Sequence, residues 1–277
     1  GSESIVQTSR LPVAQSAEVS AVALSTGERT MMAIGLNSGE VLLVSAEYDT
    51  AAWPEAGARD VSPRHSYPLG RLPLFTMSES VSGLAISQQG DEIQVVAVGA
   101  NGQIKLATGT RQSSLTASLN PKSVPEYEWN VARSEAQVSD ASRVFIDGDH
   151  QHVFALDSDD RLLAFSIRGL HEGGAEPFSS DAIANQPGKV VDAEMLVGGR
   201  SLMIADDLGQ IGQWFFDVRS GELLLHKVRV FLAAQVSLYQ LESEQRQKNI
   251  GVVDINGVFK LFNTTADRLL AEQTLVG

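Results

Sequence analysis

Apolar residues along this chain come in short bursts separated by polar and glycine-bearing turns, and the bursts recur in threes. Val19 to Leu24 alternates as a half-buried strand does and is followed by the polar turn Ser25 to Arg29. An apolar run from Met31 to Leu36, the turn Asn37-Ser38-Gly39 and a second run from Val41 to Val44 complete the phrase. Short apolar runs bounded by Gly, Asn and Ser predict strand, turn, strand, tight turn, strand.

The phrase returns four times. The second copy is Val81 to Ile86, a turn at Gln88 to Asp91, Val95 to Gly99, Asn101-Gly102, then Ile104 to Ala107. The third is Arg143 to Ile146, Asp147 to His150, Val153 to Leu156, Ser158-Asp159-Asp160, then Leu162 to Ile167. Val190 to Leu196, Gly198 to Arg200, Leu202 to Ala205, Asp207-Leu208-Gly209 and Ile211 to Phe216 form the fourth. The fifth is Val236 to Leu241, a polar turn from Glu244 to Lys248, Ile250 to Val253, Asn256-Gly257, then Phe259 to Phe262.

From the middle of the first strand to the tight turn the interval is nearly constant. It is 17 residues from Val22 to Gly39, 18 from Leu84 to Gly102, 16 from Val144 to Asp160, 16 from Ala193 to Gly209 and 19 from Leu238 to Gly257. Successive tight turns are 63, 58, 49 and 48 residues apart, so only the connectors vary, as in arrays that take insertions on one face. Asn-Gly at two turns predicts two-residue hairpins with positive φ, and Asp160, in the glycine position of the third copy, tolerates that conformation better than most residues. Fourth strands are expected at Leu72 to Thr76, Leu115 to Leu119, Leu223 to Val230 and Leu269 to Leu275, whereas the third copy runs into a Gly-, Pro- and Ser-bearing stretch where an outer strand is short or replaced by loop.

Four antiparallel strands per repeat and no amphipathic helical period predict an all-β fold, a β-propeller with five recognisable repeats in a ring of five to seven blades. A sandwich of hairpins does not predict five recurrences of one phrase. Ile5 to Val13 is placed to complete the last blade beside Leu269 to Leu275, which closes the ring without an exposed edge.

Charge narrows the function classes. With 21 basic against 34 acidic side chains the net charge is −13, and no basic stripe offsets it, so nucleic acid is not an expected partner. The absence of cysteine removes disulfides and thiolate chemistry together. Apolar stretches such as Val230 to Ala234 fall far short of the roughly 20 residues of a membrane-spanning helix. Gly1-Ser2 looks like a tag scar, so residues 1–277 are expected to be one propeller domain excised from a larger membrane protein.

Gly209 to Glu222, with a tight-turn glycine, Trp214 and a closing Ser220-Gly221, resembles the end of a WD40-like blade, and Gly257 to Asn263 is a second partial match. The chain has no Gly-His pair and no Trp-Asp dipeptide, so the hydrogen-bond network those residues carry in standard blades is not expected. The whole resembles the periplasmic propeller inserted in some γ-proteobacterial phosphate ABC-transporter permeases of the PstC type, on its degenerate, acidic, cysteine-free repeats. It is similar as well to periplasmic propellers that assist outer-membrane protein assembly. The permease resemblance implies a periplasmic domain of an inner-membrane protein, tied to the membrane through flanking segments. It implies protein partners, a periplasmic phosphate-binding protein or other transporter subunits among them.

Asp147, Asp149, His150 and His152, near Asp157, Asp159 and Asp160, have the residue types of a zinc site. Acidic residues in facing turns more often serve the turns, so no metal is expected. Nucleotide-binding, nucleophile-elbow and HExxH motifs are absent, and no cofactor is expected. Asp157, Asp206, Asp207 and Asp254, near inner-strand ends, are the support for a hydrolase or lyase with a central-channel site. The favoured expectation is a non-enzymatic interaction domain whose insertions, 46–80, 108–141 and 169–189, carry the partner-binding candidates Tyr48, Trp53, Tyr67, Tyr127, Trp129 and Phe178. Arg64 and Arg71, with His65, add possible anion contacts in the first insertion.

Overall fold

Each repeat of the phrase folds into one antiparallel sheet. The structure is a computed structural model that describes residues 17–26, 30–49, 64–66, 71–112, 126–138, 141, 143–174, 176–196, 198–219, 221–244 and 248–275. The first blade comprises β1 (Val19–Thr26), β2 (Thr30–Leu36), β3 (Glu40–Asp49) and β5 (Arg71–Thr76), with the short β4 (Arg64–Ser66) pairing the far end of β3. The second is β6 (Val81–Gln89), β7 (Glu92–Gly99), β8 (Gln103–Arg111) and β9 (Tyr127–Gln137). The third is β10 (Arg143–Ile146), β11 (His152–Leu156), β12 (Leu162–Ser166) and β13 (Phe178–Ser180). Strands β14 (Val190–Met195), β15 (Ser201–Asp206), β16 (Gln210–Arg219) and β17 (Glu222–Leu232) make the fourth. The fifth is β18 (Leu238–Ser243), β19 (Asn249–Asp254), β20 (Val258–Asn263) and β21 (Arg268–Thr274). The fold is a five-bladed β-propeller.

The core lies between blades. Neighbours along a middle strand point to opposite faces, so Val95 and Ala97 of β7 pack with Met31, Ala33 and Leu43 of the first blade. Val96 and Val98 pack with Val153, Ala155 and Phe165 of the third. Burial on both faces is why these strands read as unbroken apolar runs. Phe154 meets Phe216 across the next junction with ring centroids 4.4 Å apart, and Phe231 meets Phe262 across the last at 5.9 Å. Contacts run β1 to β6, β6 to β10, β10 to β14 and β14 to β18, and no junction of similar extent joins β18 back to β1 among the described residues.

The tight turns differ in detail from the expectation. Gly102 has φ 80° while Asn101 is not left-handed, and Gly102 N–H donates to the Gly99 carbonyl at 2.8 Å. This is a type I turn closed by one left-handed residue, which suits a three-residue hairpin connection. Asp160 takes the same place with φ 61°. The turn position also grips the chain on its way to the next blade: the carbonyls of Gly39, Gly102, Gly209 and Gly257 accept from Met77, Val138, Ala233 and Leu275 at 2.8 to 2.9 Å. In the third blade the Asp160 side chain does this instead, its Oδ2 accepting from Val190 N–H at 3.1 Å.

Two expectations change. The second blade's outer strand is β9, not Leu115 to Leu119, which lies outside the described residues, as does Ile5 to Val13. The glycine-bearing stretch at Gly169 begins as the six-residue helix α1 (Ile167–Glu172), capped by Ser166 and by Gly173 at φ 80°, with Ile167 and Leu170 buried. A helix this short leaves no readable period.

A Cβ on Gly209 would lie 2.3 Å from the Ala234 carbonyl oxygen, whereas on Gly257 the nearest atom is 3.5 Å away. Gly257→Ala therefore carries only the left-handed penalty of about 1–2 kcal/mol, and Gly209→Ala is expected to lose clearly more. Urea-unfolding midpoints of the two variants measure the difference; equal losses would refute the close backbone approach at Gly209.

Candidate functional site

Five inner strands converge on a central cavity of about 1070 Å³. Four of them, β1, β6, β14 and β18, shift register near their second residue, between Val19 and Ala21, Val81 and Gly83, Val190 and Asp192, and Leu238 and Gln240. Such bulges re-aim side chains next to a site. At the β6 bulge Ser82 Oγ donates to the Ala141 carbonyl, 2.9 Å away, on the approach to the third blade.

On β14 the bulge residue is Val191, and Asp192, the next along, ties three blades together. Its Oδ1 accepts from Arg143 Nε of β10 at 2.7 Å and from Ala193 N–H at 2.9 Å, while its Oδ2 accepts from Leu241 N–H of β18 at 2.8 Å. Ser243 Oγ of β18 adds a bond to the Met195 carbonyl at 2.9 Å. Beside Asp192, half-buried Glu194 lines the same cavity with Glu242 of β18. Burial, then the negative charges of Glu242 and Asp192, push the Glu194 carboxyl up to about 8 against the opposing pull of Arg143. At neutral pH Glu194 is a neutral acid on an otherwise charged wall. The β1 and β6 stretch of the lining, with Val22, Leu24, Leu84 and Ile86, is largely apolar.

The Asp147 to His152 cluster is divided among separate structural tasks. His150, left-handed at φ 54°, holds Glu92 Oε1 with Nδ1 at 2.9 Å and Ser87 Oγ with Nε2 at 2.8 Å, bridging to the second blade. Asp149 pairs with Arg200 of the fourth blade, where Gly148 N–H also donates to the Gly199 carbonyl. Burial alone would raise the Asp147 carboxyl, but bonds from the His152 ring and from the His152 and Gln151 N–H groups hold it below its ordinary range. No group of three or more metal-ligating side chains converges among the described residues.

Asp157, Asp206 and Asp254 do not line the cavity. Each caps its own tight turn, accepting two backbone N–H bonds through Oδ1: from Asp159 and Arg161, from Leu208 and Gln210, and from Asn256 and Val258. Asp207 Oδ1 accepts from Lys189 N–H. Asp157, Asp206 and Asp254 stand at the ends of the second strands β11, β15 and β19, not of the inner strands, and turn capping explains the positions without chemistry.

The aromatic and cationic candidates occupy three blades rather than one patch. Tyr48, Arg64 and Arg71 fall in β3, β4 and β5 of the first; Trp53 and Tyr67 lie outside the described residues. Tyr127 and Trp129, expected on a loop, are half-buried in β9 at a centroid separation of 5.9 Å, and Trp129 covers Gly109 of its own blade. Phe178 of β13 is half-buried against the core between the third and fourth blades. The residues that sequence reading passed over are Arg143, Asp192, Glu194 and Glu242, whose only local signal is charge inside otherwise apolar inner strands.

No protein-family model matches the sequence, and no curated protein does. Among solved structures the chain is similar to the β-propeller domain of Myceliophteria thermophila Cps50 (Swd1), with a TM-score of 0.50 and 11% identity over 89% of this chain. The match spans 66% of that domain's length. The likeness shows a β-propeller fold and goes no further. No helix among the described residues is long and apolar enough to cross a membrane.

Two measurements check the channel wall. Asp192→Ala removes the acceptor shared by Arg143 Nε, Ala193 N–H and Leu241 N–H and is expected to cost about 2–4 kcal/mol in chemical denaturation. A loss below 0.5 kcal/mol, on the order of an ordinary surface change, would show that the three-blade clip is not stabilising. For Glu194, a folded-state value above the ordinary 4.5 means that stability present below pH 4.5 is lost as pH rises toward 8. Glu194→Gln cannot ionise, so its melting temperature should gain on wild type through that window, by at least about 2 °C at pH 8.5. A difference independent of pH would count against it.

Proposed function

We propose that this chain is a non-enzymatic protein-interaction propeller, and that it serves as the periplasmic domain of a phosphate ABC-transporter permease of the PstC type. The observation that carries the first part is the rigid five-bladed frame. Every blade is gripped at its tight turn, and the variable segments 46–80, 108–141 and 169–189 carry the outer strands β5, β9 and β13 of the first three blades. Scaffolds of this kind present binding residues on loops and edges held by a stiff core. The engagement of Asp147, Asp149, His150, Asp157, Asp206 and Asp254 in turn caps and blade bridges favours binding over catalysis.

The second part rests on the acidic, cysteine-free, degenerate repeats. In this reading the domain projects from an inner-membrane protein, and its partners are a periplasmic phosphate-binding protein or other transporter subunits. Photo-crosslinking residues placed at Arg64, Arg71, Trp129 and Phe178 of the intact protein in phosphate-limited cells test it. Adducts with transporter components are the expected result. Adducts with outer-membrane assembly proteins instead, or none at any of the four positions, would overturn the assignment.

A further inference from the structure

Two outer strands of this propeller have the same length and different surfaces. Strand β9 and strand β17 each run 11 residues along a blade's outer edge, paired on one side only. At the start of β9 the exposed residues are Glu128 and Asn130. On β17 they include Leu224, Val228, Val230 and Leu232, with 39%, 54%, 44% and 68% of their surfaces open. Its buried side chains, Leu223 and Phe231, belong to the cores on either side of the fourth blade, so the strand is firmly seated while its outer residues cover nothing. Among the described residues no backbone group pairs with its free edge.

The local charge is the reverse of the chain's. In a protein of net charge −13, the middle of β17 reads His226-Lys227-Val228-Arg229. Lys227 Nζ meets the neutral Gln186 Oε1 and the Trp214 ring, and Arg229 Nη1 donates to the Thr264 carbonyl. Both cations are thus satisfied by uncharged acceptors, and their charge is left for something else to balance. At the register shift opposite Gln213 and Trp214, Val228 stands as the extra residue between them.

We propose that the free edge of β17 is a docking strand for an extended acidic segment of a partner protein, added antiparallel or parallel as a fifth strand of the fourth blade. Its unpaired N–H and C=O groups can take a further strand; alternate apolar residues of that strand would cover Val230 and Leu232, on the face they share with Lys227, and its carboxylates would answer Arg229 on the opposite face. A second copy of this chain fits less well, because antiparallel pairing of two β17 strands about Val228 sets Lys227 of each copy against Arg229 of the other. The inference rests on the interaction-module reading and names one surface and partner chemistry for it.

The test uses the whole chain with three fluorescein-labelled nonapeptides: alternating Glu and Val, alternating Lys and Val, and the acidic peptide with its central Val replaced by Pro. The expected result is binding of the acidic peptide alone, weakened at least tenfold by Val230→Asp or Leu232→Asp. Both variants change exposed side chains, and an unchanged melting temperature verifies that they fold. Saturating peptide should also slow amide exchange in Glu222–Leu232. Equal binding of the three peptides, binding indifferent to both variants, or no slowing in β17 would overturn the proposal. So would a concentration-dependent dimer, abolished by Val230→Asp, that protects β17 without peptide. Crosslinks to transporter components with β17 silent would sink this inference and leave the broader reading intact.

Discussion

A single left-handed residue at the tight turn between the second and third strands of each blade organises the molecule. At Gly39, Gly102, Gly209 and Gly257 the positive φ closes the hairpin and aims a carbonyl at the chain leaving the blade. A side chain at Gly102 would strike the Val138 carbonyl at 2.2 Å, so the absence of a Cβ is what lets the two backbones meet. Where Asp160 stands instead, its carboxylate reaches the departing strand directly. The order and spacing of blades follow from this repeated grip, and the central cavity follows from the order of blades.

The grip would be useless without cores that belong to pairs of blades. Middle strands such as β7 and β11 send alternate residues into two junctions, so no blade is stable alone and each depends on its neighbours. Polar crosslinks then fix the junctions near the axis: His150 to Glu92 and Ser87, Asp149 to Arg200, Ser82 to Ala141, and Asp192 to Arg143 and Leu241. The same inward crowding that lets Asp192 clip three blades places Glu194 beside two other carboxylates, and its raised protonation is the cost of that arrangement.

Sequence reading located the five units, their tight turns and three of the outer strands to within a few residues, since each depends on signals a few positions apart. Asp160 was recognisable as a glycine substitute because aspartate tolerates the left-handed region. The outer strand of the second blade was misplaced at Leu115 to Leu119, because edge-strand pairing is chosen by the partner strand β8 and by the packing of Tyr127 and Trp129, not by local alternation. The acidic and histidine residues of the third blade have the residue types of a metal site, but their spacing serves turns and bridges, and folding sends them to different neighbours.

The amino-acid sequence by itself determined the repeat, the turn chemistry and the two-sided burial of the middle strands, because short-range periodicity and backbone preference are written into each unit. Only the tertiary structure decided which charges share the channel and which edge is left open. Arg143, Asp192 and Leu241 are drawn from three blades, each 49 positions from the next. Lys227 and Arg229 acquire their neutral partners from loops of other blades. Those meetings depend on how successive blades rotate about a common axis, a property of the assembled ring that no single stretch of chain encodes.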